Sequence, residues 1–174
     1  MTLSHPKAVS PGRFLTWAVA PAVALLLGGG MAAAGPRFVL VNESPSLPRG
    51  LYLRVIGQDP RVGSIVALAQ PAQARSYLAS LGMPAQVLLI KRVVATGGDR
   101  VCASTGQVDV QGRRLAVSAR DRDGRALRPW AGCRRLGPDE VFLLGDTANS
   151  FDGRYFGPTS RTVLQGVYRE VLTW

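Results

Sequence analysis

Short runs of alternating or wholly apolar residues, separated by Gly, Pro and Asp, make up most of the chain after residue 37. Runs of this length, bounded by turn-forming residues, are typical of β-strands. The pattern predicts strands at 38–42, 51–55, 64–68, 87–96, 108–110, 115–117, 141–144 and 166–172. A helical pattern occurs at 72–81, between Pro71 and Gly82. Many short strands with one helix indicate a mostly β protein, built as an antiparallel β barrel or sandwich.

Apolar residues become sparse between residues 103 and 139, where arginine clusters instead. The arginines of this segment are Arg113, Arg114, Arg120, Arg122, Arg125, Arg128, Arg134 and Arg135. We therefore predict that 103–139 is a small cap region inserted into the β domain, with its arginines in contact with solvent.

An uncharged stretch lies between Arg13 and Arg37. Residues 14–34 are apolar or small throughout, which is about the length that crosses a bilayer core of roughly 30 Å as a helix. Because Lys7 and Arg13 come before this stretch, the positive-inside rule predicts a cytoplasmic N-terminus. We predict a signal-anchor that stays in the membrane. A cleavable signal peptide is the alternative, since the mostly small residues at 28–34 suit a cleavage site.

This interpretation divides the chain into a cytoplasmic N-terminus at 1–13, a transmembrane signal-anchor at 14–36 and an extracytoplasmic domain at 37–174. Two cysteines in an exported domain can pair. A Cys102–Cys133 disulfide would close a loop of 31 positions, which adds roughly 3–4 kcal/mol by loop-closure entropy. The alternative is two unrelated thiols, because the sequence does not fix the distance between their Cα atoms.

The net charge of +10 favours an anionic partner, either nucleic acid or a phospholipid surface. Of the 21 basic residues, 19 are arginines, and the two lysines are Lys7 and Lys91. The one histidine is His5, so residues 37–174 contain no histidine and a single lysine. This composition excludes a histidine-based catalytic triad and a histidine-rich metal site from that domain.

Lys91 lies within the predicted strand 87–96 and has apolar neighbours on both sides. Since side chains alternate along a strand, Leu89, Lys91 and Val93 share one face. Burial lowers the pKa of a lysine, and a neutral amine can act as a general base, whereas a guanidinium stays protonated. Lys91 is therefore a candidate general base. The alternative is an edge lysine that extends to solvent and pairs with an acid.

Ser46 lies in a segment, 42–50, in which Pro45, Pro48 and Gly50 restrict the backbone. A rigid turn of this kind can direct a hydroxyl at a substrate carbonyl. An ordinary surface loop has a similar composition, so this segment alone does not identify a nucleophile.

A second polar segment follows the predicted strand at 141–144 and begins with Gly145-Asp146. Asp152 and Arg154 within it can form a charge-assisted pair that stabilises the loop. Ser150 can donate or accept a hydrogen bond with a neighbour such as the lysine amine. A polar hairpin loop is the alternative interpretation.

Four segments resemble the boxes of the signal peptidase I superfamily, serine peptidase family S26. KRVVATGGD at 91–99 is similar to its lysine box, and RVGSIV at 61–66 is similar to the preceding box. GD at 145–146 with NSFDGR at 149–154 resembles its C-terminal box. The serine segment 42–52 is most similar to the conjugative-transfer branch, the TraF-type peptidases that mature pilin subunits.

The resemblance implies a β domain of signal peptidase type and a serine endopeptidase without cofactor or metal. It assigns roles to seven residues: Ser46 as nucleophile and Lys91 as general base, Ser44 with Ser46 in the oxyanion hole, and Ser150, Asp152, Arg154 and Asp146 as supporting residues. The serine segment lacks the form found in housekeeping signal peptidases, so Ser44 stays an alternative nucleophile.

The resemblance also implies a monomeric, single-pass protein of the bacterial inner membrane, with its catalytic domain on the periplasmic side. Its expected partners are membrane phospholipid and a pilin or other exported precursor, cut after small residues. Nucleic acid is not expected, because 113–135 contains no aromatic residue except Trp130 for stacking on bases.

Three other functions remain open from the sequence. A housekeeping signal peptidase I would use the same chemistry on many secreted proteins. A self-cleaving LexA-like regulator would need a DNA-binding domain, which the uncharged stretch after Arg13 does not favour. A non-enzymatic binding module would explain the charge but not the boxes.

Overall fold

The computed structural model describes residues 37–174. The predicted cytoplasmic segment 1–13 and the predicted signal-anchor 14–36 lie outside the described residues. Among the helices of 37–174, none combines the length and the apolar character needed to cross a bilayer.

Eleven strands and two α-helices make up the regular structure of residues 37–174. The strands are β1 (Val39–Asn42), β2 (Gly50–Val55), β3 (Ile65–Leu68), β4 (Leu89–Thr96), β5 (Arg100–Ser104), β6 (Gln107–Val110), β7 (Arg113–Ala116), β8 (Cys133–Arg135), β9 (Glu140–Leu144), β10 (Thr159–Ser160) and β11 (Leu164–Thr173). The helices are α1 (Ala72–Ser80) and α2 (Gly153–Phe156), and a 3-10 turn, Arg161–Val163, leads into β11.

The prediction of a mostly β, antiparallel domain is confirmed, although three strands were not predicted. In β8 all three residues are exposed, so its sequence carries no hydrophobic alternation. β10 has only two residues, and β5 has one fully buried residue, Val101. Strands this short or this exposed form because a neighbouring strand offers hydrogen bonds, and their own sequences do not indicate them.

The larger sheet has seven strands in the order β1-β2-β11-β3-β4-β9-β10, so β1 and β10 form its two edges. All of its pairs are antiparallel. β4 lies between β3 and β9, with Lys91 opposite Val66 and Arg92 opposite Leu144. The lysine strand is therefore an interior strand with neighbours on both sides, which buries side chains that an edge strand would expose.

The smaller sheet has four antiparallel strands in the order β7-β6-β5-β8. Much of the segment predicted as a cap, 103–139, lies in this sheet and its loops. Its inner side packs on the larger sheet through a cluster that joins Val101 and Val108 to Phe142 and Tyr155. Burial of such side chains contributes about 1.5–3 kcal/mol each, so this contact fixes the small sheet on the larger one.

A separate core cluster includes one residue of the segment that carries the two serines. It contains Leu47 together with Leu40, Tyr52, Ile90 and Tyr168. Since Leu47 directly follows Ser46, its burial fixes the chain on one side of the candidate nucleophile.

Candidate active site

Ser44 and Ser46 lie in the loop that joins β1 to β2. Ser46 is only 5% exposed. The Ser44 hydroxyl donates a hydrogen bond to the Ser46 Oγ at 3.0 Å, and the Ser46 N–H donates to the Ser44 Oγ at 3.3 Å. The loop thus brings two hydroxyls and one backbone donor to the same point.

Lys91 lies on β4 and its side chain is directed at this point. Its Nζ is 2.9 Å from the Ser46 Oγ, and the residue is 4% exposed. Leu89 and Val93, on the same face of the strand, are also buried, as the alternation along the strand predicts. The structure therefore brings together the two residues that the sequence assigned as base and nucleophile.

Burial is the main cause that lowers the pKa of Lys91, from its ordinary value of 10.5 to about 8. The carboxylate of Asp152 acts in the opposite direction and raises this pKa, while the guanidinium of Arg154 lowers it. Each unit of pKa corresponds to about 1.4 kcal/mol, so a shift of this size means that the site favours the neutral amine over the ammonium form, compared with water. An amine with a pKa near 8 is neutral in about one molecule in ten at pH 7, which is enough for a general base.

The loop after β9 contacts the loop 43–49 that carries the two serines, here called the serine turn, through a hydrogen bond between backbone groups. The Asp146 N–H donates to the Ser46 carbonyl oxygen at 2.6 Å. Gly145 is needed for this approach, because a Cβ at that position would lie 2.8 Å from the same carbonyl oxygen and in collision with the Ser150 side chain. The Gly-Asp pair of the sequence thus allows two loops to meet at Ser46.

Ser150 lines the same site and is buried, but its Oγ forms no hydrogen bond within residues 37–174. The predicted hydrogen bond from Ser150 to the Lys91 amine is not present in this structure. The role of Ser150 in orienting the amine stays a prediction.

Asp152 and Arg154 form a buried ion pair at the start of α2, with 2.8 Å between Arg154 Nη2 and Asp152 Oδ2. The Asp152 carboxylate also accepts hydrogen bonds from the N–H groups of Gly145 and Arg154. The guanidinium donates to the carbonyls of Thr147, Ala148 and Ser150. Because both charges are paired and hydrogen-bonded, the network can hold the loop 145–152 in one conformation.

An open cleft of about 490 Å³ lies beside Ser46 and Lys91. One wall is apolar and comes from α1 and the residues after it, among them Leu78, Leu81 and Met83. Loop 118–127, which follows β7 of the smaller sheet, also lines the cleft. The cleft therefore offers a surface on which a segment of another polypeptide could lie against the serine.

Comparison with known proteins identifies the family. The profile described as "Signal peptidase, peptidase S26" matches residues 13–174. The chain belongs to this family. Membership confirms the resemblance found in the sequence boxes, and it implies that the chain is a serine peptidase.

Proteins of plasmid transfer are similar to this peptidase over most of its length. "Plasmid transfer protein TraF" of Escherichia coli is 37% identical over 169 residues, covering 90% of this chain and 93% of that protein. "Probable conjugal transfer protein TraF" of Sinorhizobium fredii is 36% identical over 146 residues, covering 77% of each chain.

Among solved structures, a signal peptidase I from Enterococcus faecalis V583 is 17% identical and covers 63% of this chain and 97% of its own, with a TM-score of 0.38. At that score, the family assignment rests on the sequence comparisons.

The sequence analysis missed the partner of Asp146. Arg92, the neighbour of Lys91 on β4, donates through Nε and Nη2 to the two carboxylate oxygens of Asp146, at 2.9 and 2.8 Å. Both side chains are about one-third exposed, so this pair contributes little stability by itself. It nevertheless ties the lysine strand to the loop whose backbone holds the Ser46 carbonyl.

Asn42, the last residue of β1, was also missed. The residue is buried, and its side-chain amide contacts the backbone of the serine turn on both sides of Ser46. A signal for it was present in the sequence. A turn with two prolines lacks two backbone N–H donors, so a side-chain donor next to it is expected.

The structure joins Cys102 on β5 to Cys133 on β8 by a disulfide bond, and the two residues are directly opposite in the register. Within residues 37–174, no three His, Cys, Asp or Glu side chains are grouped so that they could hold a metal ion.

Proposed function

We propose that this chain is a membrane-anchored serine endopeptidase in which Ser46 is the nucleophile and Lys91 the general base. The observation that carries the proposal is the 2.9 Å contact between the Lys91 amine and the Ser46 hydroxyl inside a buried site. A general base must also be neutral in part of the molecules. Burial meets this requirement, because it lowers the pKa of Lys91 to about 8 and so gives a neutral fraction at physiological pH.

The first half of the reaction forms an acyl-enzyme. Neutral Lys91 removes the proton of the Ser46 hydroxyl while the Ser46 oxygen attacks the scissile carbonyl. The carbonyl oxygen becomes an oxyanion, which accepts hydrogen bonds from the Ser46 N–H and the Ser44 hydroxyl. Lys91 then gives its proton to the leaving amine, the C–N bond breaks, and the substrate is held as an ester on Ser46.

The second half releases the product. Neutral Lys91 removes a proton from water as the water oxygen attacks the ester carbonyl. Collapse of this second intermediate breaks the bond to Ser46, and the proton on Lys91 returns to the serine oxygen. Preorganised donors for an oxyanion are worth roughly 3–4 kcal/mol of the barrier, so Ser44 should contribute strongly to the rate.

We propose exported precursor proteins as substrates, with the pilin subunits of a conjugative transfer system as the first candidates. The names of the relatives support this choice, since they are described as plasmid transfer and conjugal transfer proteins. The open cleft beside Ser46 supports an extended polypeptide substrate. We expect cleavage after small residues such as alanine.

We propose that the peptidase acts at the periplasmic surface of the inner membrane, anchored through 14–36. The net charge of +10 supports contact between its arginines and anionic headgroups.

The test is mass spectrometry of pilin precursors incubated with the full chain in detergent, using wild-type protein, Ser46→Ala and a control, Ser104→Ala. Ser104 is an exposed serine at the end of β5. We expect one defined cut by wild-type and Ser104→Ala protein, and none by Ser46→Ala. Cleavage by Ser46→Ala at the wild-type rate would refute the mechanism. Equal cleavage of unrelated secretory precursors would favour a housekeeping signal peptidase.

A further inference from the structure

The side-chain amide of Asn42 lies at the centre of the serine turn. Its Nδ2 is 3.0 Å from the carbonyl oxygen of Ser44, 3.1 Å from that of Leu47 and 2.9 Å from that of Pro48. Its Oδ1 accepts a hydrogen bond from the Ser44 N–H at 3.1 Å. The residue is 5% exposed, so these bonds do not compete with bulk water.

We propose that Asn42 is a positioning residue, which holds the turn so that the Ser46 hydroxyl lies within reach of Lys91. This inference rests on the peptidase function proposed above. The contacts of Asn42 fall on the residue two positions before Ser46 and on the two positions after it. A single side chain therefore fixes the chain on both sides of the nucleophile.

The chemistry of the turn explains why an amide is required. Pro45 and Pro48 have no N–H group, so the turn has two fewer backbone donors for its own carbonyl oxygens. The amide of Asn supplies two N–H donors, which three carbonyl oxygens share, together with one acceptor for an N–H group. Aspartate has nearly the same shape but no donor, and it would direct a carboxylate oxygen at these carbonyls.

Three donors from outside the turn also hold it, and each reaches only one carbonyl. The Trp174 N–H donates to the Arg49 oxygen at 3.1 Å. The Tyr52 hydroxyl donates to the Pro48 oxygen at 2.6 Å, and the Asp146 N–H donates to the Ser46 oxygen at 2.6 Å. Tyr52 shares one acceptor with Asn42, and its hydroxyl forms no hydrogen bond with Ser44 or Leu47. Tyr52→Phe is therefore a matched control, since it removes a buried hydrogen bond from the same turn without releasing the residues next to the nucleophile.

The experiment measures kcat and KM of the full chain in detergent, on a pilin precursor that the wild-type protein cleaves, for Asn42→Asp, Asn42→Ser, Tyr52→Phe and Ser46→Ala. We expect Asn42→Asp to lower kcat by about 100-fold or more, because a displacement of about 1 Å at a reacting atom has effects of that size. KM should change less than threefold, since Asn42 does not line the substrate cleft. Tyr52→Phe should lower kcat less than fivefold.

Asn42→Ser retains one donor and should lower kcat about tenfold; it carries the test if Asn42→Asp does not fold. A kcat within threefold of wild type for the folded Asn42 variants would overturn the proposal. So would a loss that appears only in KM, or an equal loss of kcat in Tyr52→Phe. Ser46→Ala distinguishes a failure of the proposed peptidase function from a failure of the proposed role of Asn42. If it cleaves normally, or if wild-type protein cleaves no precursor, the proposed function fails. If it is inactive while the Asn42 variants are normal, only the role of Asn42 fails.

Discussion

The Lys91 amine lies 2.9 Å from the Ser46 hydroxyl, although the two residues are 45 positions apart in the chain. Ser46 reaches this position from a loop between two strands at one edge of the larger sheet, and Lys91 from an interior strand. Both residues are at most 5% exposed, so the contact forms in an environment of low dielectric where an ammonium ion is unfavourable.

The two serines should differ sharply in their effect on the rate. Ser46→Ala should abolish cleavage, because it removes the oxygen that attacks. Ser44→Ala should lower kcat by roughly 100- to 1000-fold, the usual effect of losing one oxyanion-hole donor. The measurement is single-turnover cleavage of a precursor by each variant. Residual activity in Ser46→Ala together with an inactive Ser44→Ala would instead assign the attack to Ser44.

Replacement of Lys91 by arginine should abolish activity, although it retains the positive charge. A guanidinium stays protonated at any pH at which the protein is folded, so it cannot remove the proton of Ser46. In wild-type protein, kcat/KM should rise with pH through a midpoint near pH 8 and level off at about pH 9, as the Lys91 amine becomes neutral. The control is Lys7→Arg, the same exchange at the other lysine of the chain. A flat pH profile between pH 6 and 9 would contradict the assignment of the base.

The buried lysine should also affect stability, in a way that depends on pH. Because the folded state lowers the pKa of Lys91 from 10.5 to about 8, the unfolded chain binds more protons between these values. The contribution of Lys91 to stability therefore improves as the pH rises from about 8 to 10.5.

Replacement of Lys91 by methionine tests this linkage. At pH 7, Lys91→Met should be more stable than wild type by up to about 3 kcal/mol, which corresponds to the shift of the lysine pKa. The difference should shrink towards pH 10.5. Denaturant unfolding of both proteins at pH 7 and pH 10 measures it, and other titrating groups cancel in the comparison. If the stability advantage of Lys91→Met grew as the pH rises, the folded state would not lower the pKa of Lys91, and the prediction would be wrong.

Removal of the charge of Asp152 should have two effects. Asp152→Asn leaves the buried Arg154 without its anionic partner, and breaking such a pair usually costs about 3–5 kcal/mol. The carboxylate of Asp152 also raises the pKa of Lys91, so its loss should move the pH–rate profile to lower pH. Asp146→Asn is the comparison: Asp146 acts on Lys91 in the same direction but more weakly, and its shift should be smaller. An upward shift in Asp152→Asn would contradict the account.

The disulfide should matter for stability more than for catalysis. Its loop of 31 positions predicts a loss of about 3–4 kcal/mol in the Cys102→Ser, Cys133→Ser double variant. The bond lies in the smaller sheet and does not line the cleft beside Ser46, so kcat of the folded protein should change little. Denaturant unfolding with and without reductant measures the first effect. Reductant that leaves wild-type stability unchanged would contradict the prediction.

The sequence by itself determined the mostly β fold, because alternation of apolar residues is a local property that each strand carries along its own length. It also determined which side chains are chemically able to act, since residues 37–174 contain one lysine and no histidine. The alternation along 87–96 was sufficient to assign Lys91 to an apolar face.

Only the tertiary structure decided which residues meet. Arg92 has an ordinary sequence context, and the two prolines near Asn42 indicate a need for a donor without showing which carbonyls it reaches. Both residues gain their importance from a loop or a turn that folds against them. β8 and β10 likewise have no hydrophobic pattern of their own and exist through their neighbours. The distance between Ser46 and Lys91, and the loss of solvent that lowers the pKa of the lysine, are both products of packing. Composition and periodicity do not determine this distance or this loss of solvent, because the distance and the burial depend on contacts between segments far apart in the chain.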